Sequence, residues 1–136
     1  MTTFCGVDVP LGHGLSLFID GNSKVTRSNG TFAEPAPNCL SLPHISTCPG
    51  ATPTCLAACY VHGLKANAPE VYARYADNER TIHRILADNG DIWADSRNQL
   101  ATWITQHCAG GFRWHVSGDI FSDSHAEWIV NVCDFA

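Results

Sequence analysis

The stretch FRWHVSGD, residues 112–119, decides the fold. Phe112, Trp114 and Val116 alternate with Arg113, His115 and Ser117, the two-residue period of a strand with one apolar face. Before it stand three segments of helical composition, and before those a short apolar run, CLSLP at 39–43. Strands separated by helices pair in parallel, with the helices covering the sheet. The pattern therefore predicts an α/β fold: a small two- to three-stranded, mainly parallel sheet under about four helices, a minimal partial-barrel-like βα arrangement.

Working outward, the segment from Asp91 to Cys108 places Ile92, Trp93, Leu100, Trp103 and Ile104 on one helical side, and Gly110-Gly111 closes it. The helix before it is expected to open at Asn67, with Pro69 in its first turn and Glu70 as capping-box partner, and to end at Asn89-Gly90. Its stripe of Tyr72, Tyr75, Ile82, Ile85 and Leu86 reads as core, so neither tyrosine is given chemistry. A shorter helix, CLAACYVHG, starts at Cys55 and stops at Gly63. After the strand, Ser124 and Glu127 form an S-x-x-E signature for a last helix bearing Trp128, Ile129 and Val132. Residues 1–38 are rich in Gly, Pro, Ser and Asn and read as a loop-rich entry, with one strand at Leu15–Asp20 and a turn at Gly21-Asn22. The whole chain, 1–136, reads as a single domain in which 39–136 carry a cysteine loop and the βα core.

A chain of 136 residues buries about 70% of the surface its unfolded form exposes, so a sizeable core forms without staples. With 8 Lys+Arg against 13 Asp+Glu, the formal charge is −5. Arg74, Arg80 and Arg84 lie among Glu70, Asp77 and Glu79, a solvated helix face rather than a basic stripe, and no nucleic-acid partner is expected. No basic, apolar leader and no run of about 20 apolar residues is visible, so a cytoplasmic protein without membrane association is expected.

In a reducing compartment, seven cysteines point to metal ligation or buried thiols rather than disulfides. Cys5, Cys108 and Cys133 are each isolated and read as core. Cys48, Cys55 and Cys59, in TCPGATPTCLAACY at 47–60, have the spacing C-x6-C-x3-C, with Cys55 and Cys59 on one face of one helical turn. Thiolates at a loop and helix start suit an anionic iron–sulfur cluster, because the helix N-terminus stabilises negative charge. Zinc is the alternative metal, although only one tight ligand pair is present. A fourth ligand could come from Cys39, His44, Cys108 or Cys133.

The blocks NSK at 22–24, SLPHISTCPG at 41–50, CLAACY at 55–60 and RWHVSGDIFS at 113–122 resemble the phage gene-product 88 family, from about residue 21 to 133. The layout of that family is similar to the opening part of a radical S-adenosylmethionine enzyme. The resemblance implies that Cys48, Cys55 and Cys59 ligate a [4Fe–4S] cluster with one iron open to S-adenosylmethionine. It further implies that Ser117, Gly118 and Asp119 occupy the place of the glycine-rich, acid-ended motif that holds the cofactor's amino group, with His115 or Arg113 expected to face the same pocket. The cysteine spacing departs from the superfamily's C-x3-C-x2-C. The chain also ends one helix after HVSGD, so a radical enzyme would need completion by self-association into a homo-oligomer.

These readings give two function classes. One is a phage-encoded iron–sulfur protein with a redox, sensing or binding role in the infected host's cytoplasm, meeting a host protein or redox partner. The other is an enzyme that uses S-adenosylmethionine. A zinc-stabilised interaction module is a further alternative.

Overall fold

The computed structural model of the chain describes residues 6–20, 37–59, 61–88, 90–108, 111–115 and 117–136. Cys5, NSK at 22–24, the Gly21-Asn22 turn, Asn89, Gly110 and Val116 lie outside the described residues. The segment expected to be irregular contains a β-hairpin, β1 (Gly6–Gly12) and β2 (Leu15–Asp20), paired antiparallel from Gly6↔Asp20 to Gly12↔Leu15. Its tip, Gly12-His13-Gly14, has positive φ throughout (81°, 56° and 75°), a backbone that glycine adopts freely. Val9 and Leu11 face inward opposite Leu17 and Ile19, all four buried. Pro10 interrupts the strand pattern of β1 in the sequence, and the register shifts between Pro10 and Gly12. It is tolerated because β1 is an edge strand and Pro10 has no N–H to leave unpaired.

The hairpin continues into β3 (Cys39–Leu40), antiparallel to β2, and β3 pairs in parallel with β4 (Arg113–Trp114) through Cys39↔Arg113 and Leu40↔Trp114. The expected parallel pairing therefore holds between these two strands. The sheet as a whole is mixed rather than mainly parallel: among the described residues it has four strands in the order β1-β2-β3-β4, an open sheet with no barrel-like closure. The hairpin's tight turn forces β1 and β2 to pair antiparallel, whereas the long, helix-containing connection from β3 to β4 permits a parallel crossover.

Five helices are described where about four were expected, because the cysteine helix divides. Helix α1 (Pro53–Ala58) starts two residues before Cys55: Thr52 caps it by accepting from Cys55 N–H at 3.1 Å, with Pro53 at the first position. Cys59 is its C-cap in an extended conformation, so Cys55 and Cys59 do not share a helical face. Helix α2 (Val61–Asn67) runs through Gly63, which does not stop it, and Asn67 is its last residue rather than a cap for the next. Helix α3 (Pro69–Leu86) begins after Ala68 with no side-chain cap, and α4 (Asp91–His107) lies as the periodicity predicts. Helix α5 (Asp123–Phe135) is capped by Ser122, which accepts from His125 N–H at 3.1 Å, two residues earlier than the S-x-x-E signature places it.

Helix α3 packs against β2 and α4 against β1, while α5 packs against α3 and α4. Between them Leu40, Leu42, Ile82, Ile85, Leu100, Trp128 and Val132 join the hairpin's inward residues in one core. Buried Trp128 donates its indole N–H to Ser96 Oγ at 3.3 Å, and Ser96 in turn donates to the Trp93 carbonyl. Asn78, fully buried on α3, ties helix to sheet. Its Oδ1 accepts from Phe18 N–H at 2.8 Å, and its Nδ2 donates to the carbonyls of Phe18 (2.9 Å) and Ser41 (3.0 Å). Among the described residues no helix is long and apolar enough to cross a membrane. The acidic neighbours expected for the α3 arginines are their partners: Arg74 bridges Asp8 and Asp77, and Arg80 also meets Asp77.

Candidate functional site

Neighbouring parallel strands release their loops side by side at one edge of the sheet. The cysteine loop leaves β3 and the SGD segment leaves β4, and the two are bonded together beyond the strands. Arg113 and His115 donate their N–H groups to the carbonyls of Asn38 (2.9 Å) and Leu40 (2.7 Å), and Leu42 then donates to the Ser117 carbonyl at 3.0 Å. Ser117 Oγ donates to the Leu42 carbonyl at 2.7 Å, and Thr47 Oγ1 donates to the Pro43 carbonyl while accepting from Asp119 N–H at 3.3 Å.

The loop itself is a run of tight turns. Ser46 N–H donates to the His44 carbonyl at 2.8 Å across Ile45, a γ-turn whose central φ of 68° is strained for a β-branched residue. Turns closed by Cys48 N–H on Ile45 O and by Ala51 N–H on Cys48 O come next, each at 3.1 Å, and Ser46 Oγ donates to Glu79 Oε1 on α3 at 3.0 Å. This fixes Cys48 by backbone geometry rather than by a helix.

A hydrogen-bonded chain runs from the Leu56 carbonyl through His62 and His44 to the Tyr72 hydroxyl. His62 Nε2 is 2.5 Å from the Leu56 carbonyl, which only accepts, so that nitrogen carries the proton. In neutral His62, Nδ1 then accepts from His44 Nε2 at 3.0 Å. In turn His44 Nδ1, neutral as well, accepts the Tyr72 hydroxyl proton at 2.8 Å. Burial holds the buried His44 below its ordinary pKa, helped by the charges of His62 and Lys65, so the neutral form is the one expected near neutral pH. The Tyr72 phenol is pushed up by burial, then by the negative charges of Glu79, Cys59 and Cys48, against a smaller opposing effect from the hydrogen bond to His44. Cys48 and Cys59 thus both act on the same phenol. Lys65 Nζ lies 5.3 Å from the Tyr72 ring centroid.

Cys48 and Cys59 are both half-buried, whereas Cys55 is exposed on α1. Cys39 is buried in β3 with its thiol 3.5 Å from Asn38 Oδ1. Cys108 is buried, its thiol pushed up to about 11 by burial and 3.8 Å from the Pro37 carbonyl oxygen, whereas Cys133 is exposed on α5. The isolated-core reading therefore fits Cys108 and not Cys133. No described cysteine is in a disulfide, and among the described residues no three His, Cys, Asp or Glu side chains gather as ligands of a single ion. With six residues, α1 contributes little of the dipole expected to favour thiolates.

On the SGD side, Ser117 is buried, Gly118 has φ 80° and Asp119 is exposed, its Oδ1 accepting from Ile120 N–H at 2.7 Å. A Cβ on Gly118 would stand 2.5 Å from Thr47 Oγ1 and 2.9 Å from the Leu42 carbonyl oxygen, so the glycine is what lets the two segments close. His115, at φ 64°, turns the chain out of β4. Its ring stands 5.4 Å from that of fully buried His125, and the Nε2 atoms of both lack a hydrogen-bond partner among the described residues. Burial lowers both to about 4, and the charge of Asp119 raises each slightly.

Tyr72, His62, Thr47 and His125 were not singled out by sequence. His62 lies three residues beyond Cys59, and that spacing is the one local signal that could have flagged it. No curated protein and no solved structure matches the chain. A family model described as Gene product 88 matches residues 16–136, including the cysteine loop and the SGD segment just described, and the chain therefore belongs to this family of phage proteins.

Proposed function

We propose that the chain is a phage iron–sulfur protein whose [4Fe–4S] cluster is held by Cys48, Cys55 and Cys59, in a redox, sensing or binding role. The observation that carries this reading is the set of three thiols within twelve residues, Cys48 fixed by a run of tight turns and Cys55 and Cys59 on and just after the short helix that follows. Three thiols from one short segment are the donor chemistry of a cluster, but among the described residues no three His, Cys, Asp or Glu side chains gather, so the site as folded prefers neither a cluster nor zinc. When bound, the cluster supplies one-electron chemistry. Half-buried Cys48 and Cys59 and exposed Cys55 would hold it.

Iron, acid-labile sulfide and zinc analysis of protein purified without oxygen tests this. Iron and sulfide in similar amounts, lost in Cys48→Ala and retained in Cys108→Ala, are expected. A colourless protein with about one zinc per chain would replace the cluster reading with the interaction module.

A second reading, S-adenosylmethionine binding, is favoured by one observation: the cysteine loop and the SGD segment leave adjacent parallel strands, where ligands of parallel sheets sit. Asp119 is exposed and offers its carboxylate to an ammonium group, while Ser117 and Gly118 hold the segment in place. This reading requires saturable binding of S-adenosylmethionine that Asp119→Ala abolishes, and an intact-cluster protein that binds none sinks it.

A further inference from the structure

The S-x-x-E signature at the start of α5 has no capping role, because Ser122 caps that helix. Ser124 and Glu127 stand three residues apart and so share one face of α5, and among the described residues neither side chain has a hydrogen-bond or ion-pair partner. Both line a cavity of about 250 Å³, together with Leu86, the last residue of α3, and Trp93 in the first turn of α4. Leu86 and Trp93 are partly buried and packed on the core, whereas Ser124 and Glu127 are exposed, so the cavity has an apolar inner wall and a polar rim. The charge of that rim is negative. Asp91 and Asp123 lie in the first turns of α4 and α5, where they offset the positive ends of those helices. The Arg97 guanidinium stands 4.1 Å from the Phe135 ring centroid and 5.3 Å from that of Trp93, with its Nε donating to Asn98 Oδ1, and it forms no ion pair with Glu127. Glu127 is thus a carboxylate with no counter-ion among the described residues.

We propose that this cavity binds a small primary amine, whose ammonium group donates to the Glu127 carboxylate and the Ser124 hydroxyl oxygen while its apolar body lies against Leu86 and Trp93. The assignment is independent of the cluster reading above. Both rim groups offer oxygen acceptors, and an ammonium group brings three donors and no acceptor. Hydrogen bonds between ionised partners are about twice as strong as neutral ones, so the charge on the ligand selects it over an alcohol of the same shape. A carboxylate ligand would meet Glu127 as a like charge, and a quaternary ammonium would have no N–H for the two oxygens. The volume lies just under the roughly 300–1,000 Å³ of drug-sized sites, which suits a single ring or a short chain.

Titration of the unsubstituted protein with phenethylamine, followed by NMR through the indole N–H resonances of its four tryptophans, tests this. The resonance missing from Trp93→Phe identifies Trp93, and that resonance is expected to move saturably. Two analogues with the same ring, neutral 2-phenylethanol and anionic 3-phenylpropionate, should each bind at least about tenfold more weakly, a comparison that depends on no variant folding. Glu127→Gln, a change at an exposed helix position, should weaken the amine by about tenfold while leaving the ligand-free indole spectrum in place. An alcohol or carboxylate that binds as tightly as the amine, an amine affinity unchanged in Glu127→Gln, or no saturable movement of the Trp93 resonance up to the solubility limit of the amine overturns the assignment.

Discussion

Ser117 and Leu42 are bonded to each other twice: the Ser117 hydroxyl donates to the Leu42 carbonyl at 2.7 Å, and the Leu42 N–H donates to the Ser117 carbonyl at 3.0 Å. This reciprocal pair extends the β3–β4 ladder past the last residues of either strand, and it welds the cysteine loop to the SGD segment. The serine and glycine of SGD thereby act first as structure. They set the distance between two loops that would otherwise move independently, and the carboxylate of Asp119 is carried on a fixed base.

Gly118→Ala tests that weld. The added Cβ would meet Thr47 Oγ1 at 2.5 Å and Leu42 Cβ at 2.7 Å, at a φ of 80° that alanine resists. Strain and overpacking together cost about 2–5 kcal/mol. Thermal unfolding should show the midpoint falling by roughly 10 °C, given about 2–5 °C per kcal/mol for a chain of this size. An unchanged midpoint would show that the two segments are not closed on each other.

Ile45 is 56% exposed and sits at φ 68°, a conformation disfavoured for a β-branched side chain that gains little burial in return. Replacing it with glycine relieves the backbone while sacrificing little packing, and Ile45→Gly is expected to stabilise the chain by about 1 kcal/mol. Urea denaturation checks this. A destabilised variant would mean that the exposed isoleucine makes a contact worth more than the strain.

Asn78 serves three backbone groups from inside the core, so Asn78→Ala strands an N–H of Phe18 and removes donors to the carbonyls of Phe18 and Ser41. The cost is about 2–4 kcal/mol by chemical denaturation. Asn78→Asp, nearly the same shape, should be no better: it keeps the acceptor for Phe18 N–H but turns a carboxylate oxygen towards two carbonyls. If the aspartate variant matched the wild type, the amide's role as donor would be refuted.

Much of this was legible in the chain. Period 3.6 located α3, α4 and α5 because their apolar stripes are long, and the alternation in FRWHV with the run at Cys39–Leu40 disclosed the parallel pair. The hairpin's first strand was hidden because Gly6, Pro10 and Gly12 dilute its alternation, although Val9 and Leu11 still face the core. The division at Cys59 was hidden because CLAACYVHG has uniform helical composition, and the extended backbone there comes from the surrounding loop. At the site, the thiols could be listed but not grouped: Tyr72 looks like any helix-stripe aromatic until a histidine 28 residues away is folded onto its hydroxyl. Such pairings are tertiary, and no local spacing encodes them.

Asp20 and the two histidines His115 and His125 act on the pH dependence of stability with opposite signs, and the lowered His44 acts in the same sense as those histidines. Burial raises the Asp20 carboxyl from 3.8 to about 6, against the lowering effect of the Tyr75 hydroxyl that donates to it at 2.6 Å. The folded state therefore binds its proton before the unfolded state does, and Asp20's contribution is full below pH 3.8 and lost as pH rises through 6. His115 and His125 go the other way. Burial lowers both from 6.5 to about 4, so their contribution is present above pH 6.5 and lost as pH falls through 4. Each shift corresponds to about 3 kcal/mol, and two histidines outweigh one aspartate, so stability should fall on acidification from about pH 6.5 to about 4. Asp20→Asn removes the opposing contribution and should both stabilise the chain at about pH 7 and steepen the acid loss. His125→Asn, which keeps an acceptor for the Phe121 N–H that His125 Nδ1 now receives at 3.3 Å, should flatten it. Urea midpoints measured every half pH unit decide the matter through slopes rather than absolute stabilities, and a His125→Asn slope equal to the wild type's would show that His125 does not titrate as a buried base.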